Sequence, residues 1–131
     1  MKKILLILLG IAGVAMLSLY FIYDPTDYSF FPKCPLHSTT GIYCPGCGSQ
    51  RAVHSLLHGD IAGVMGHNLL FLPALVLLVH HYFMRFKEVR DGKQRKLLLY
   101  HPRAPWVILA VVMTFWVLRN IAMYPFDLLA P

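Results

Sequence analysis

The three cysteines of the chain lie close together in the sequence, within a stretch that runs from Cys34 to Asp60. Cys44 and Cys47 flank a Pro-Gly pair, and this pattern predicts a tight turn that brings the two sulfurs together. Cys34 lies ten residues before the first cysteine of that turn. Thiols in this arrangement serve one of three chemistries: metal binding, thiol–disulfide exchange or a structural disulfide.

Metal binding would follow the pattern of zinc sites. Tetrahedral zinc needs four ligands, and a Cys-x-x-Cys turn supplies two of them. Cys34 is the candidate for the third ligand, and His37, His54 or His58 is the candidate for the fourth. His54 and His58 are one helical turn apart and therefore share a helix face. Zinc is the one cofactor that the sequence suggests, and the motif alone leaves its presence undecided.

The redox alternative uses Cys44 and Cys47 as a cycling dithiol. Cys47 directly precedes a predicted helix and lies four residues before Arg51, and both features predict a lowered thiol pKa. Cys34 would then resolve a mixed disulfide. In the third interpretation, a disulfide from Cys34 to Cys44 or Cys47 staples a loop that has little core of its own. We favour a structural role, by metal or by disulfide, over redox turnover.

The segments on either side of the cysteines are long and apolar. Hydrophobic residues make up 57% of the 131 residues and charged residues only 14%, which is too apolar for a soluble domain of this size. Segments at about 4–23, 69–86 and 106–123 approach the roughly 20 apolar residues that a spanning helix needs. We therefore predict a single all-α membrane domain over residues 1–131 with three transmembrane helices. The first segment is longer than the apolar region of a signal peptide, so we expect an uncleaved span.

Residues 34–60 form the loop between the first two predicted spans. After Cys47 the apolar residues repeat at helical spacing, and Gly59 is a stop signal for the helix. A helix of about ten residues is too short to cross a bilayer. We therefore predict an interfacial or re-entrant helix that follows the cysteine loop.

Basic residues set the predicted orientation. Nine of the twelve Lys and Arg residues lie at Lys2-Lys3 or between Arg85 and Arg103. Because basic loops stay in the cytoplasm, the N-terminus is predicted inside the bacterial cytoplasmic membrane, with the cysteine loop and the C-terminus outside. The same residues can contact anionic lipid headgroups. Their position beside the predicted spans argues against nucleic-acid binding.

Polar residues at the outer ends of the predicted spans form a second candidate group. Arg119 and Asn120 lie near the end of the third span, where a charged group is costly unless it is paired. Arg51, Asp60 and Asn68 are predicted on the same side of the membrane. One hypothesis is that Arg119 pairs with Asp60, or with a carbonyl of the cysteine loop, and so docks that loop. The alternative is that Arg119 reaches the outer headgroups.

A set of motif residues resembles that of a family of small bacterial membrane proteins of unknown function, with the pattern CP…CPGCGxxR…GD…N. The residues that carry the resemblance are Cys34-Pro35, Gly41, Cys44-Pro45-Gly46-Cys47-Gly48, Arg51, Leu56, Gly59-Asp60, Asn68 and Leu118-Arg119-Asn120. The resemblance implies a small multi-span protein of the inner membrane and brings no activity. The three candidate histidines are not part of the family pattern, which weakens a zinc site with histidine as its fourth ligand.

The sequence therefore predicts a small membrane subunit or accessory protein rather than an enzyme. Its outer cysteine stretch would be a structural element, bound to metal or closed by a disulfide, and a docking site for partners. Membrane lipids, other membrane proteins or further copies of the chain are the expected partners. Gly10, Gly13 and Ala15 offer a small-residue packing face in the first span. The alternative function is a membrane thiol–disulfide oxidoreductase that uses Cys44 and Cys47.

Overall fold

The computed structural model describes residues 2–92 and 98–130. Over these residues the chain is helical and contains no strand, which confirms the predicted all-α class. The α-helices, in chain order, are α1 (Lys2–Ile22), α2 (Pro35–Thr40), α3 (Ser49–Leu57), α4 (Ile61–His67), α5 (Phe71–Asp91) and α6 (Ala104–Leu118). Two short 3₁₀ turns lie at Leu98–Tyr100 and Phe126–Leu129. Lys93, Arg95 and Lys96 of the predicted basic loop lie outside the described residues.

Helix α1 is the one helix in the described part of the chain that is long and apolar enough, by itself, to cross a membrane. It has no charged residue between Ile4 and Ile22, and none of its most apolar stretch is buried by the rest of the chain. Ile4 and Ile22, at its two ends, are 64% and 66% exposed. The helix therefore presents an almost continuous apolar surface to its surroundings.

The other two predicted spans correspond to α5 and α6. Helix α5 is apolar enough for a span only when it is combined with α4, and the two are bent by 110° relative to each other. Helix α6 has 15 residues and ends at Leu118, short of residue 123 where the predicted span ends. The side-chain amide of Asn120 donates to the carbonyl of Trp116 at 2.8 Å, which satisfies one of the carbonyls left free at a helix end.

A small core lies between α3 and α4. Ala52 on α3 and Val64 on α4 are completely buried. Gly59, with a φ of +75°, reverses the chain after α3, and such left-handed positions favour glycine. Asp60 then caps α4, because its carboxylate accepts a hydrogen bond from the N–H of Gly63 at 2.9 Å. The two short helices thus form a hairpin directly behind the cysteine loop.

Candidate metal centre

The three cysteine sulfurs converge on one point. The Sγ atoms of Cys34 and Cys44 are 3.4 Å apart, and those of Cys44 and Cys47 are 3.2 Å apart. All three sulfurs lie within 4.8 Å of one another. Thiolates that share a tetrahedral zinc ion are roughly 3.8 Å apart, given Zn–S bonds of about 2.3 Å. A zinc ion would therefore fit after the sulfurs move apart by roughly half an ångström, so the donor set suits zinc.

Local backbone geometry forms the cysteine turn, residues 44–47. The N–H of Cys47 donates to the carbonyl of Cys44 at 3.1 Å, and the N–H of Cys44 points at the sulfur of Cys47 at 3.2 Å. Gly48 follows with a φ of +83°, a conformation that permits the chain to enter α3 immediately. Both sulfurs of the turn are therefore fixed on the same side of the chain.

The thiols of Cys34 and Cys47 have pKa values that are shifted in opposite directions by their environments. Backbone N–H groups, that of His37 first, lower the pKa of Cys34 to about 7. Burial raises the pKa of Cys47 to about 12, because the 8%-exposed side chain is removed from water. The prediction that a helix N-terminus and Arg51 lower the pKa of Cys47 is therefore wrong. Burial among neighbouring thiols outweighs both effects.

The carbonyl side of the cysteine turn is held by two buried side chains from distant parts of the chain. The guanidinium of Arg119, which is 1% exposed, donates to the carbonyls of Cys44 at 3.0 Å and Cys47 at 3.3 Å. The amide of Asn68, 2% exposed, donates to the carbonyls of Pro45 at 2.9 Å and Cys47 at 3.2 Å. Arg119 therefore bonds carbonyls of the cysteine loop and not the carboxylate of Asp60.

Asn120 attaches the residue that precedes the turn. Its side-chain oxygen accepts from the N–H of Tyr43 at 2.8 Å, and its amide donates to the carbonyl of Tyr43 at 2.9 Å. The guanidinium of Arg119 also lies over the ring of Phe115, with 4.9 Å between the carbon and the ring centroid. The end of α6 thus holds the cysteine loop through two consecutive polar residues. Asp60 is not part of this contact and serves as the cap of α4.

The three cysteines also line a cavity of about 910 Å³. Besides the three cysteines, its wall contains the charged residues Asp27, Lys33 and Arg51. Aromatic side chains, among them Tyr28 and Tyr43, complete part of the wall. The predicted site residue Arg51 therefore shares the cavity wall with the three cysteines.

The candidate histidines have other partners. His37 lines the cavity, stacks on Tyr43 with ring centroids 4.3 Å apart, and donates from Nδ1 to the carbonyl of Gly41 at 3.2 Å. His54 donates from Nδ1 to the carbonyl of Tyr20 at 2.8 Å. His58 stacks on Phe21 with centroids 4.6 Å apart. Among the described residues, the group of close metal-binding atoms therefore comprises the three cysteines alone.

Two residues of the site escaped sequence reasoning. Lys33 lies in the cavity wall, and its place directly before Cys34 is the only sequence signal for it. Tyr43 is held by Asn120 through backbone atoms, which leave no trace in the sequence. The remaining contacts join residues far apart along the chain, such as Asn68 and the cysteine turn.

Comparison with known proteins agrees with the resemblance seen in the sequence. No curated protein and no solved structure matches the chain. The matched family segment begins at Cys34 and includes the cysteine turn, the α3–α4 hairpin and the first part of α5. Arg119 and Asn120 lie beyond it. Over residues 34–82 the chain is similar to the family described as a protein of unknown function, DUF2752, which confirms the resemblance to an uncharacterised family.

Proposed function

We propose that the chain is a small membrane protein whose outer loop is organised by a zinc ion bound to Cys34, Cys44 and Cys47. The observation that carries this proposal is the convergence of three sulfurs within 4.8 Å of one another. The carbonyls of the same turn are hydrogen-bonded on the other side by Arg119 and Asn68. The ion would fix the sulfurs of a loop whose carbonyls are already bonded by the residues that end α4 and α6.

The spacing of the sulfurs favours a metal over a disulfide. A disulfide joins two sulfurs at about 2.05 Å and leaves the third thiol unused. Here Cys44 is nearly equidistant from Cys34 and Cys47, at 3.4 Å and 3.2 Å. Such a group of three serves a shared ion better than a single covalent pair. Structural zinc also stabilises small loops that have little core of their own.

The membrane location is supported by the apolar surface that the chain leaves uncovered. Nearly all of the large side chains of helix α1 are exposed. On α6, the side chains of Val107 and Leu109 are also exposed. We propose three spans, at 4–23, 69–86 and 106–123, in the bacterial cytoplasmic membrane. The flanking basic residues support an N-terminus in the cytoplasm, with the cysteine loop and the C-terminus outside.

The short α6 gives the docked loop a specific position in this arrangement. Fifteen helical residues are about 22 Å long, less than the roughly 30 Å of a hydrocarbon core. The turn after Leu118 would therefore begin below the headgroups, together with the cysteine turn attached to it. Irregular backbone at that depth requires protein partners for its carbonyls, and Arg119, Asn68 and Asn120 supply them.

In this role the protein acts as an accessory subunit rather than an enzyme. The uncovered faces of α1 and α6 would contact lipid, other membrane proteins or further copies of the chain, and the outer loop would dock a partner. The metal-stabilised loop is then a rigid surface rather than a site of turnover.

A thiol–disulfide oxidoreductase is the second candidate. The observation that favours it is the lowered pKa of Cys34, about 7, on a sulfur 3.4 Å from that of Cys44. The thiolate would attack a partner disulfide, and Cys44 would then release the reduced partner by forming the intramolecular disulfide. The buried Cys47 thiol, whose pKa is raised, would take no direct part.

Metal analysis of the purified chain separates these functions. We expect about one zinc per chain, with all three thiols free and protected from alkylation until a chelator is added. Cys34→Ser, Cys44→Ser and Cys47→Ser should each lose the zinc, whereas His54→Ala and His58→Ala should retain it. A metal-free protein whose mass is lower by two hydrogens would refute the zinc proposal and favour the disulfide chemistry.

Topology is tested separately in cells. A membrane-impermeant thiol reagent applied from outside should label chelator-treated wild-type protein at the cysteine loop. A single cysteine introduced at Lys87 in a chain without the native cysteines should be labelled only after the membrane is permeabilised. The reverse pattern would overturn the orientation and leave the metal proposal standing.

A further inference from the structure

The carbonyls and the sulfurs of the cysteine turn have different surroundings. On the carbonyl side, Arg119 and Asn68 are almost completely buried against the turn. On the sulfur side, Cys34, Cys44 and Cys47 form part of the wall of the cavity of about 910 Å³. An ion held by the three sulfurs would therefore lie at the wall of the cavity.

Three protein ligands leave a tetrahedral ion with one vacant position. In the described part of the chain, no histidine, aspartate or glutamate has a ligand atom that joins the group of three sulfurs. His37 lines the same cavity and its Nδ1 bonds the carbonyl of Gly41, but its other ring nitrogen, Nε2, does not belong to the group of close ligand atoms. Three protein ligands with one exchangeable position are typical of zinc sites that bind an external molecule.

We propose that the fourth position of the ion opens into the cavity and binds an external thiolate ligand that carries an anionic group. This inference rests on the proposed zinc site and adds an external ligand to it. A thiolate is the donor class that a sulfur-bound soft metal prefers. The cavity wall contains two basic side chains, Lys33 and Arg51, and one carboxylate, that of Asp27. This excess of positive charge favours an anionic group on the ligand.

The size of the cavity agrees with a small organic ligand. Binding pockets for such molecules commonly have volumes of about 300–1,000 Å³, and apolar walls with a few polar groups. The cavity is within that range at about 910 Å³, and its wall combines Tyr28, Phe31 and Tyr43 with charged side chains. The metal would bind the sulfur of the ligand, and the charged residues of the wall would favour a ligand with an anionic group.

Cobalt substitution provides a direct test, because Co²⁺ reports its ligands through visible absorption. The full chain, purified in detergent, is loaded with Co²⁺ and titrated with mercaptoacetate, or with cysteamine, which has the same thiol but a cationic group. We expect mercaptoacetate to add thiolate-to-cobalt charge-transfer intensity in a saturable way, and to bind about tenfold more tightly than cysteamine. Arg51→Gln and Lys33→Gln should reduce this preference while the protein still binds cobalt. Arg103→Gln, at an exposed position at the start of α6, is the matched control.

The outcomes separate this inference from the proposed function. If no cobalt–thiolate bands form before any thiol is added, the metal site itself is absent and both proposals are overturned. If the bands form and mercaptoacetate leaves them unchanged, the zinc proposal stands and the open position is refuted. If mercaptoacetate binds only in His37→Ala, then His37 occupies the fourth position, which also refutes the inference.

Discussion

Replacing Arg119 by methionine tests the contact that joins the cysteine turn to the rest of the molecule. The guanidinium is 1% exposed and donates to the carbonyls of Cys44 at 3.0 Å and Cys47 at 3.3 Å. Methionine has a similar length and remains compatible with the apolar contact to Phe115, but it cannot donate a hydrogen bond. The substitution therefore removes the polar contacts while it preserves most of the packing.

The expected cost follows from the partners that remain. Hydrogen bonds to a charged group contribute about 1.5–3 kcal/mol each, and three carbonyls, those of Cys44, Pro45 and Cys47, lose such a bond. None of these carbonyls is left without a donor, because the N–H of Cys47 still reaches Cys44 and the amide of Asn68 still reaches Pro45 and Cys47. We therefore expect the free energy that holds the turn in place to fall by about 2–4 kcal/mol. This change corresponds to roughly a 30- to 1000-fold increase in the undocked fraction.

Alkylation of the buried Cys47 measures that fraction. In reduced, chelator-treated protein, Cys47 is 8% exposed and should react only when the turn leaves its site. Localised mass spectrometry then gives its alkylation rate relative to that of the more exposed Cys34. Arg103→Met, at the opposite end of α6 and exposed, is the control. If Arg119→Met alkylates Cys47 within twofold of the control, the carbonyl contacts do not hold the turn.

Three further perturbations test the surroundings of the site. Gly63→Ala should destabilise α4 by about 1–2 kcal/mol, because a Cβ there meets the carboxylate that caps the helix. Gly66→Ala has open space around it and should stabilise the same helix by up to about 1 kcal/mol. Thermal unfolding measures both changes. Asn120→Ala removes both hydrogen bonds to Tyr43 and should weaken zinc binding in a chelator competition, and unchanged affinity would show that these bonds do not position the loop. Burial lowers the pKa of His67 below its usual 6.5, so the unfolded chain binds more protons near that pH. Stability should therefore fall as the pH drops through about 6.5, and His67→Gln should flatten this part of the unfolding profile.

The local features of the site were accessible from the sequence. The Pro-Gly pair between Cys44 and Cys47 indicates a tight turn, and in the structure their sulfurs are 3.2 Å apart. The apolar segments indicate helices, and α1, α5 and α6 form over most of these segments. Gly59 indicates the end of α3, where it adopts a φ of +75°. Each of these features depends on residues that are close neighbours along the chain, so their types and spacing are sufficient information.

The end of α6 was only partly accessible from the sequence. Hydropathy continues beyond Leu118 and predicts a helix to residue 123, whereas the helix ends at Leu118. The side chain of Asn120 accounts for this early end, because it donates hydrogen bonds both to the carbonyl of Trp116 in the helix and to the carbonyl of Tyr43 in the cysteine loop. A hydropathy pattern does not register that competition, because it averages over the few polar groups that decide where a helix stops.

The sequence by itself determined that three thiols belong to one loop between apolar segments, and that a charged residue, Arg119, lies near the end of the last of these segments. Only the tertiary structure decided that Arg119 bonds the carbonyls of the cysteine turn, that Asp60 caps a helix, and that the pKa of Cys47 is raised. These outcomes depend on burial and on contacts between residues far apart in the chain. The cavity lined by the cysteines also depends on tertiary structure, because its wall is formed by separate segments of the chain.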